Sequence, residues 1–155
     1  MKKINLLLAG VAVMGMMACS DDDSSSTNNN SQIISEVEST VQSGTWRITS
    51  FVEETNDETN HFTGYDFTFN DNGTLTADNG TNTYTGTWSV TNDSSSDDDD
   101  NSNSDVDFNI AFPSPDNFTD LNDDWDILER TDTKIKLIDV SGGNGGTDYL
   151  TFEKN

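Results

Sequence analysis

From Trp46 onward the chain alternates apolar and polar residues with a period of two. Trp46, Ile48 and Val52 alternate with Arg47, Thr49 and Glu53, and Tyr65, Phe67 and Phe69 alternate with Asp66, Thr68 and Asn70. The pattern returns at Tyr84, Gly86, Trp88 and Val90, and again at Val106, Phe108, Ile110 and Phe112. Successive side chains of an extended chain point to opposite faces, so each run predicts a half-buried strand. Further strands are predicted over 125–130, 133–140 and 147–153, and a short one around Leu75 brings the number to eight. Turn residues join most neighbours, which makes the order antiparallel. Ahead of Gly44 the period is helical instead: Ile33, Ile34, Val37 and Val41 predict a short amphipathic helix over 32–41, with Ser31 as its cap and Gly44 ending it.

One hairpin can be read to the residue. With Asn72-Gly73 as a two-residue loop, Phe69 would pair with Thr76 and Leu75 would face water. With Asp71-Asn72-Gly73 as a three-residue loop, Gly73 taking the left-handed conformation, Phe69 pairs with Leu75 and both face the core. The second is expected, because a slip of one residue exchanges the faces of a strand. Residues 91–105 hold four consecutive Asp, Asp97 to Asp100, and predict a solvated loop. Residues 113–124 hold both prolines, and Phe118 and Leu121 within them are placed to fold back as a lid or a single helical turn. The glycine-rich stretch 141–146 is expected to be a hairpin connection.

The N-terminus carries an address. Met1-Lys2-Lys3 precedes about 14 apolar residues, too few to span a bilayer, and then Ala18-Cys19. Cys19 is the only cysteine and has no partner for an intramolecular disulfide. The segment resembles a bacterial lipobox, which implies cleavage before Cys19, its acylation, and attachment to a membrane through lipid. Ser20, Asp21, Asp22 and Asp23 resemble the export signal of Bacteroidetes-type surface lipoproteins, which implies an outer-membrane protein facing the cell exterior. The expected organisation is a signal peptide over 1–18, a disordered acidic tether over 19–31 and one folded domain over 32–155.

Of seven Lys and Arg in the chain, Lys2 and Lys3 leave with the signal, so five basic face 29 acidic side chains, a formal charge of −24. Such a surface repels nucleic acid and anionic headgroups. Cationic, neutral or apolar partners remain, among them glycans, and a monomer is expected.

Eight antiparallel strands with one apolar face each either close into a barrel or stack as a β-sandwich. Gly44-Thr45-Trp46-Arg47, Tyr65-Asp66-Phe67-Thr68-Phe69 with Asp71-Asn72-Gly73-Thr74-Leu75, Gly86-Thr87-Trp88, and Leu150-Thr151-Phe152-Glu153-Lys154 stand in the order found in the lipocalin-like domains of bacterial lipoproteins. The chain resembles that family over residues 44 to 154. The resemblance implies an all-β, eight-stranded up-and-down barrel with the helix over 32–41 closing one end. In that family the first-strand Trp packs under an Arg near the last strand, and no Arg follows Arg130 here.

Candidate chemistry is sparse. The single histidine, His61, lies in a polar segment with no second histidine for a zinc site and no motif for nucleophilic catalysis. No pair of carboxylates stands in an apolar setting of the kind glycoside hydrolysis needs. The expectation is a non-enzymatic protein without a cofactor. Asp99, Asn101, Asn103 and Asp105 alternate like oxygen ligands in a calcium loop, without the Gly at the sixth position or the Glu at the twelfth. Trp46, Tyr65, Phe67, Tyr84, Trp88, Phe108 and Trp125 are candidates to line a pocket for a small apolar or amphiphilic ligand, or to be plain core. Eight strands make a barrel that side chains just fill, or that leaves room for one small ligand. The alternative to a ligand-binding barrel is a filled module that meets a glycan or an envelope protein through its loops.

Overall fold

The computed structural model describes residues 25–92, 106–140 and 146–155, with side chains from residue 29 onward. Cys19, the Ser20–Asp23 run and the candidate calcium positions Asp99, Asn101, Asn103 and Asp105 lie outside the described residues. The order of elements is α1 (Ser25–Val41), β1 (Trp46–Glu53), β2 (Asn56–Asp57), a 3₁₀ turn (Thr59–Phe62), β3 (Asp66–Phe69), β4 (Thr74–Asp78), β5 (Thr83–Asn92), β6 (Val106–Ala111), α2 (Asp116–Thr119), β7 (Asp123–Thr131), β8 (Lys134–Val140) and β9 (Thr147–Lys154).

Leaving the short β2 aside, each strand pairs antiparallel with the next in the chain, and β9 returns to pair with β1 from Trp46↔Lys154 to Val52↔Tyr149. Eight strands therefore close into an up-and-down barrel, and the sandwich is excluded. The two-residue β2 is a ninth strand, not anticipated from the pattern, and pairs only with the end of β1. The seam between β1 and β3 is a single residue pair, Trp46↔Phe67.

The first hairpin has the expected register. Phe69 pairs with Leu75, and Gly73 closes the loop at φ +78° with its N–H donating to Asn70 O at 3.1 Å. Asn70 then accepts the Trp88 indole Nε1–H at 3.0 Å, which locks the turn onto β5.

In β1 the expected alternation fails. A bulge between Ile48 and Ser50 inserts one residue, so Phe51 points inward and is fully buried while Val52 turns to the outside. An added residue reverses every face beyond it. The helix also differs from expectation. It begins at Ser25, and Ser31 lies inside it, its carbonyl accepting from the Ser35 hydroxyl at 3.0 Å. Residues 25–31, expected in the tether, thus continue the helix, and the Asn30 side chain bonds to that of Asn92 at the end of β5.

The two ends of the barrel are closed by different means. At one end α1 buries Val37 and Val41, and the Trp46 indole donates to the Val41 carbonyl at 2.8 Å. At the other end the 3₁₀ turn inserts Phe62, and α2 and the turn after it insert Phe118 and Leu121, all at most 1% exposed. Phe118 and Leu121 fold back as anticipated. Among the described residues no helix is long and apolar enough to cross a membrane.

Candidate functional site

The seven candidate pocket residues all project into one interior, six of them buried and Tyr84 half-buried. Apart from Trp46, their surroundings are other rings. Trp88 stacks on Phe108 with centroids 6.0 Å apart, and Phe69 meets both edge-on at 5.4 and 5.7 Å. Phe69 continues to Phe152 at 5.5 Å, and Phe152 to Phe67 at 5.4 Å. Phe67 stacks on Phe118, Phe118 meets Phe62 at 5.3 Å, and Phe62 leads through Phe51 to Trp125. Edge-to-face and offset contacts at these distances are the arrangements aromatic quadrupoles favour.

Phe118 is the hub of this set. Its ring touches Phe62, Tyr65, Phe67, Tyr84 and Phe112, with centroids between 4.8 and 6.2 Å. The strap that carries it is fastened at its base. Asn122 Oδ1 accepts the Phe112 N–H, Asn122 Nδ2 donates to the Phe112 carbonyl at 2.9 Å, and the Trp125 indole donates to Leu121 O at 3.1 Å. No buried residue is polar or charged, and no buried side-chain nitrogen or oxygen lacks a partner, among the described residues.

Trp46 sits apart from this ring system. Lys154 Nζ lies 5.3 Å above its indole. A lysine at the end of β9 therefore takes the place where the resemblance implied an arginine, and a cation over an indole face is attractive whichever side chain supplies it.

Phe51, Phe62, Phe69, Phe112 and Phe152 belong to the interior set although they were not among the candidates. Phe69, Phe112 and Phe152 carried a usable signal, since each follows the period of its strand. Phe51 did not, because only the bulge turns it inward.

The rim at the Phe118 end is acidic. Burial pushes the Glu53 carboxyl above its ordinary value, and Asp120, Asp148, Glu58 and Glu54 add to the effect. Burial also pushes Asp123 up to about 6, with Asp124 hydrogen-bonded beside it and Asp139 nearby. The Tyr65 phenol is raised by burial and by the Tyr84 hydroxyl next to it. His61 is exposed in the 3₁₀ turn, with Nδ1 3.3 Å from Glu58. Among the described residues no three His, Cys, Asp or Glu side chains are grouped so as to hold a metal ion.

Grooves lie on the outside of the described residues. One, of about 260 Å³, is polar, between the end of α1 (Ser39, Thr40, Ser43) and Asp132 and Lys154. Another, of about 500 Å³, crosses the outer faces of β4, β5 and β6, with Thr74, Thr85, Thr87 and Pro113 in its walls. Neither opens among the seven candidate residues.

No family model and no curated protein matches this chain. Among solved structures it is similar to a DUF4847 family protein from Bacteroides vulgatus ATCC 8482, with a TM-score of 0.46 and 21% identity, over 77% of this chain and 97% of that one.

Proposed function

We propose that this chain is a surface-anchored, non-enzymatic lipoprotein whose barrel is a filled module that acts through its outer surface. The anchor is read from Met1 to Cys19, and the outward orientation from Ser20 to Asp23. The observation that carries the filled reading is Phe118, whose ring occupies the end of the barrel in contact with five other rings. An interior of touching aromatics, in which the buried Trp46 and Trp125 N–H groups are already bonded to backbone carbonyls, offers an amphiphilic ligand little to orient it, and ligand sites ordinarily place a few polar groups among apolar walls.

A lipocalin-like binder remains the second reading, favoured by Tyr84, which stays half-buried beside Phe118. It would require the strap to lift and the ligand to replace the Phe118 ring.

Native mass spectrometry of the full chain, extracted in mild detergent from its own host, separates the two. The filled module is expected at the mass of the lipidated polypeptide alone. A small apolar molecule carried through at one per chain would reject it in favour of the binder. Export is tested on intact cells: replacing Asp21, Asp22 and Asp23 by Ala should protect the protein from added protease, and undiminished cleavage would reject outward display.

A further inference from the structure

The tetrapeptide Asp-Asn-Gly-Thr occurs twice in the chain, at 71–74 and at 78–81, and each copy lies in the turn of a hairpin, the first between β3 and β4 and the second between β4 and β5. Asparagine followed by glycine is open to attack by the glycine nitrogen on the asparagine side-chain carbon, which closes a five-membered succinimide ring. With no Cβ on the glycine, the nitrogen is unhindered. Identical local sequence gives the two copies the same intrinsic reactivity, so any difference between them is made by the fold.

The fold treats them differently. In the second copy the Gly80 N–H donates to a carboxylate oxygen of Asp78 at 2.7 Å. Asn79 Oδ1 accepts two backbone N–H groups, from Thr81 at 3.0 Å and from Asn82 at 2.8 Å. The Thr83 hydroxyl and the Gly80 N–H hold the Asp78 carboxyl below its ordinary value, so it is ionised at neutral pH. A base thus stands at the proton of the attacking nitrogen, and two donors reach the oxygen that gains negative charge as the carbon becomes tetrahedral, at the distances of an oxyanion hole. Asn79 and Gly80 are exposed, and nothing lies within 4 Å of where a Gly80 Cβ would be. In the first copy the Gly73 N–H donates instead to the Asn70 carbonyl at 3.1 Å, which is no base, and Asn72 Oδ1 accepts a single N–H, from Thr74 at 3.0 Å. The Trp88 N–H ties the Gly73 carbonyl to β5 at 3.0 Å, which fixes that turn to the sheet.

We infer that Asn79 is a site of self-modification, converted by its own turn to a succinimide and then to aspartate and isoaspartate, while Asn72 is spared. Asp78 takes the Gly80 N–H proton as the bond from Gly80 N to Asn79 Cγ forms. It returns that proton to Asn79 Nδ2 as the Cγ–Nδ2 bond breaks, and ammonia leaves. Water then opens the ring: attack at Cγ gives aspartate, and attack at the Asn79 backbone carbonyl carbon gives isoaspartate, in which the main chain runs through the former side chain. Either product sets a new carboxylate beside Asp78, in a turn whose Asn82 side chain bonds to the Tyr65 phenol. The inference concerns an outer turn and stands whether or not the interior takes a ligand.

The full chain is held at pH 7.5, folded and in guanidinium chloride, and sampled over time by mass spectrometry. Chymotryptic cleavage after Phe69, Leu75 and Tyr84 puts Asn72 and Asn79 on separate peptides. In the folded protein Asn79 should convert about tenfold faster than Asn72, and in guanidinium chloride the two should convert at one rate. Asp78→Asn keeps an oxygen for the Gly80 N–H but supplies no base, and should bring Asn79 down toward Asn72. The wild-type comparison needs no variant and decides alone if that one does not fold. Equal folded rates at the two asparagines, a folded rate at Asn79 below its rate in guanidinium chloride, or a folded Asp78→Asn protein that converts as fast as wild type would overturn the inference.

Discussion

Asn122 pairs through its carboxamide with both backbone polar groups of Phe112, the residue that ends the inward row of β6. A side chain thus takes the part of a strand neighbour where the sheet stops, and it closes the base of the strap that holds Phe118. Asn122→Ala would leave the Phe112 N–H and C=O without partners in a partly buried setting, a loss of about 2 kcal/mol. Urea titration should show the midpoint falling at unchanged slope, with the Phe112 amide exchanging faster. An unaltered midpoint would show that the strap is held by Phe118 packing alone.

Lys154 over Trp46 joins the last residues of β9 to the first of β1, at the closing seam. Lys154→Ala should lower stability by about 0.5–1 kcal/mol, and Lys154→Arg should preserve it, because the attraction belongs to the cation and the ring. Equal melting temperatures for wild type and the alanine variant would remove the seam contact from the account.

The Asp123 carboxyl, raised to about 6, binds its proton more tightly in the folded chain than in the unfolded one. Its contribution to stability is therefore full below about pH 4 and is lost as pH rises through 6. Asp123→Asn keeps an oxygen to accept the Asp124 N–H, which the carboxylate accepts at 2.9 Å. The variant should be more stable than wild type at pH 7.5, by about 1 kcal/mol once solvent screening of this half-exposed group is allowed for, and no more stable at pH 3.5. The same difference at both pH values would show that Asp123 does not titrate as stated.

Much of this barrel can be read before it is seen. Period two is a direct consequence of strand geometry, so Phe67, Phe69, Phe108, Ile110 and Phe152 declare their faces, and the Phe69–Leu75 pairing follows from the geometry of one glycine turn. Phe118 and Leu121 are legible as apolar residues in a polar stretch that must bury somewhere. The unreadable parts share a cause: each depends on a residue distant in sequence. The bulge that exchanges Val52 for Phe51 is set by pairing with β9, about 100 residues later. The extension of α1 back to Ser25 places Asn30 against Asn92, and serine and asparagine carry little helical preference of their own. The shift of Asp123 arises from burial beside Ile110, its partner in β6. The candidate pocket was legible as a set of residues, but whether seven rings line a cavity or fill it depends on Phe51, Phe62 and Phe118 arriving from elsewhere.

In the filled reading the interior of the barrel is already occupied, with Phe118 as its last piece. Phe118→Ala should cost about 3–5 kcal/mol and leave a cavity of ring size. The most direct measurement is titration of the wild-type protein and of this variant with benzene, followed by the methyl resonances of Leu75, Leu137 and Leu150. A filled interior gives saturable shifts in Phe118→Ala and none in the wild type; saturable binding to the wild-type interior would overturn it.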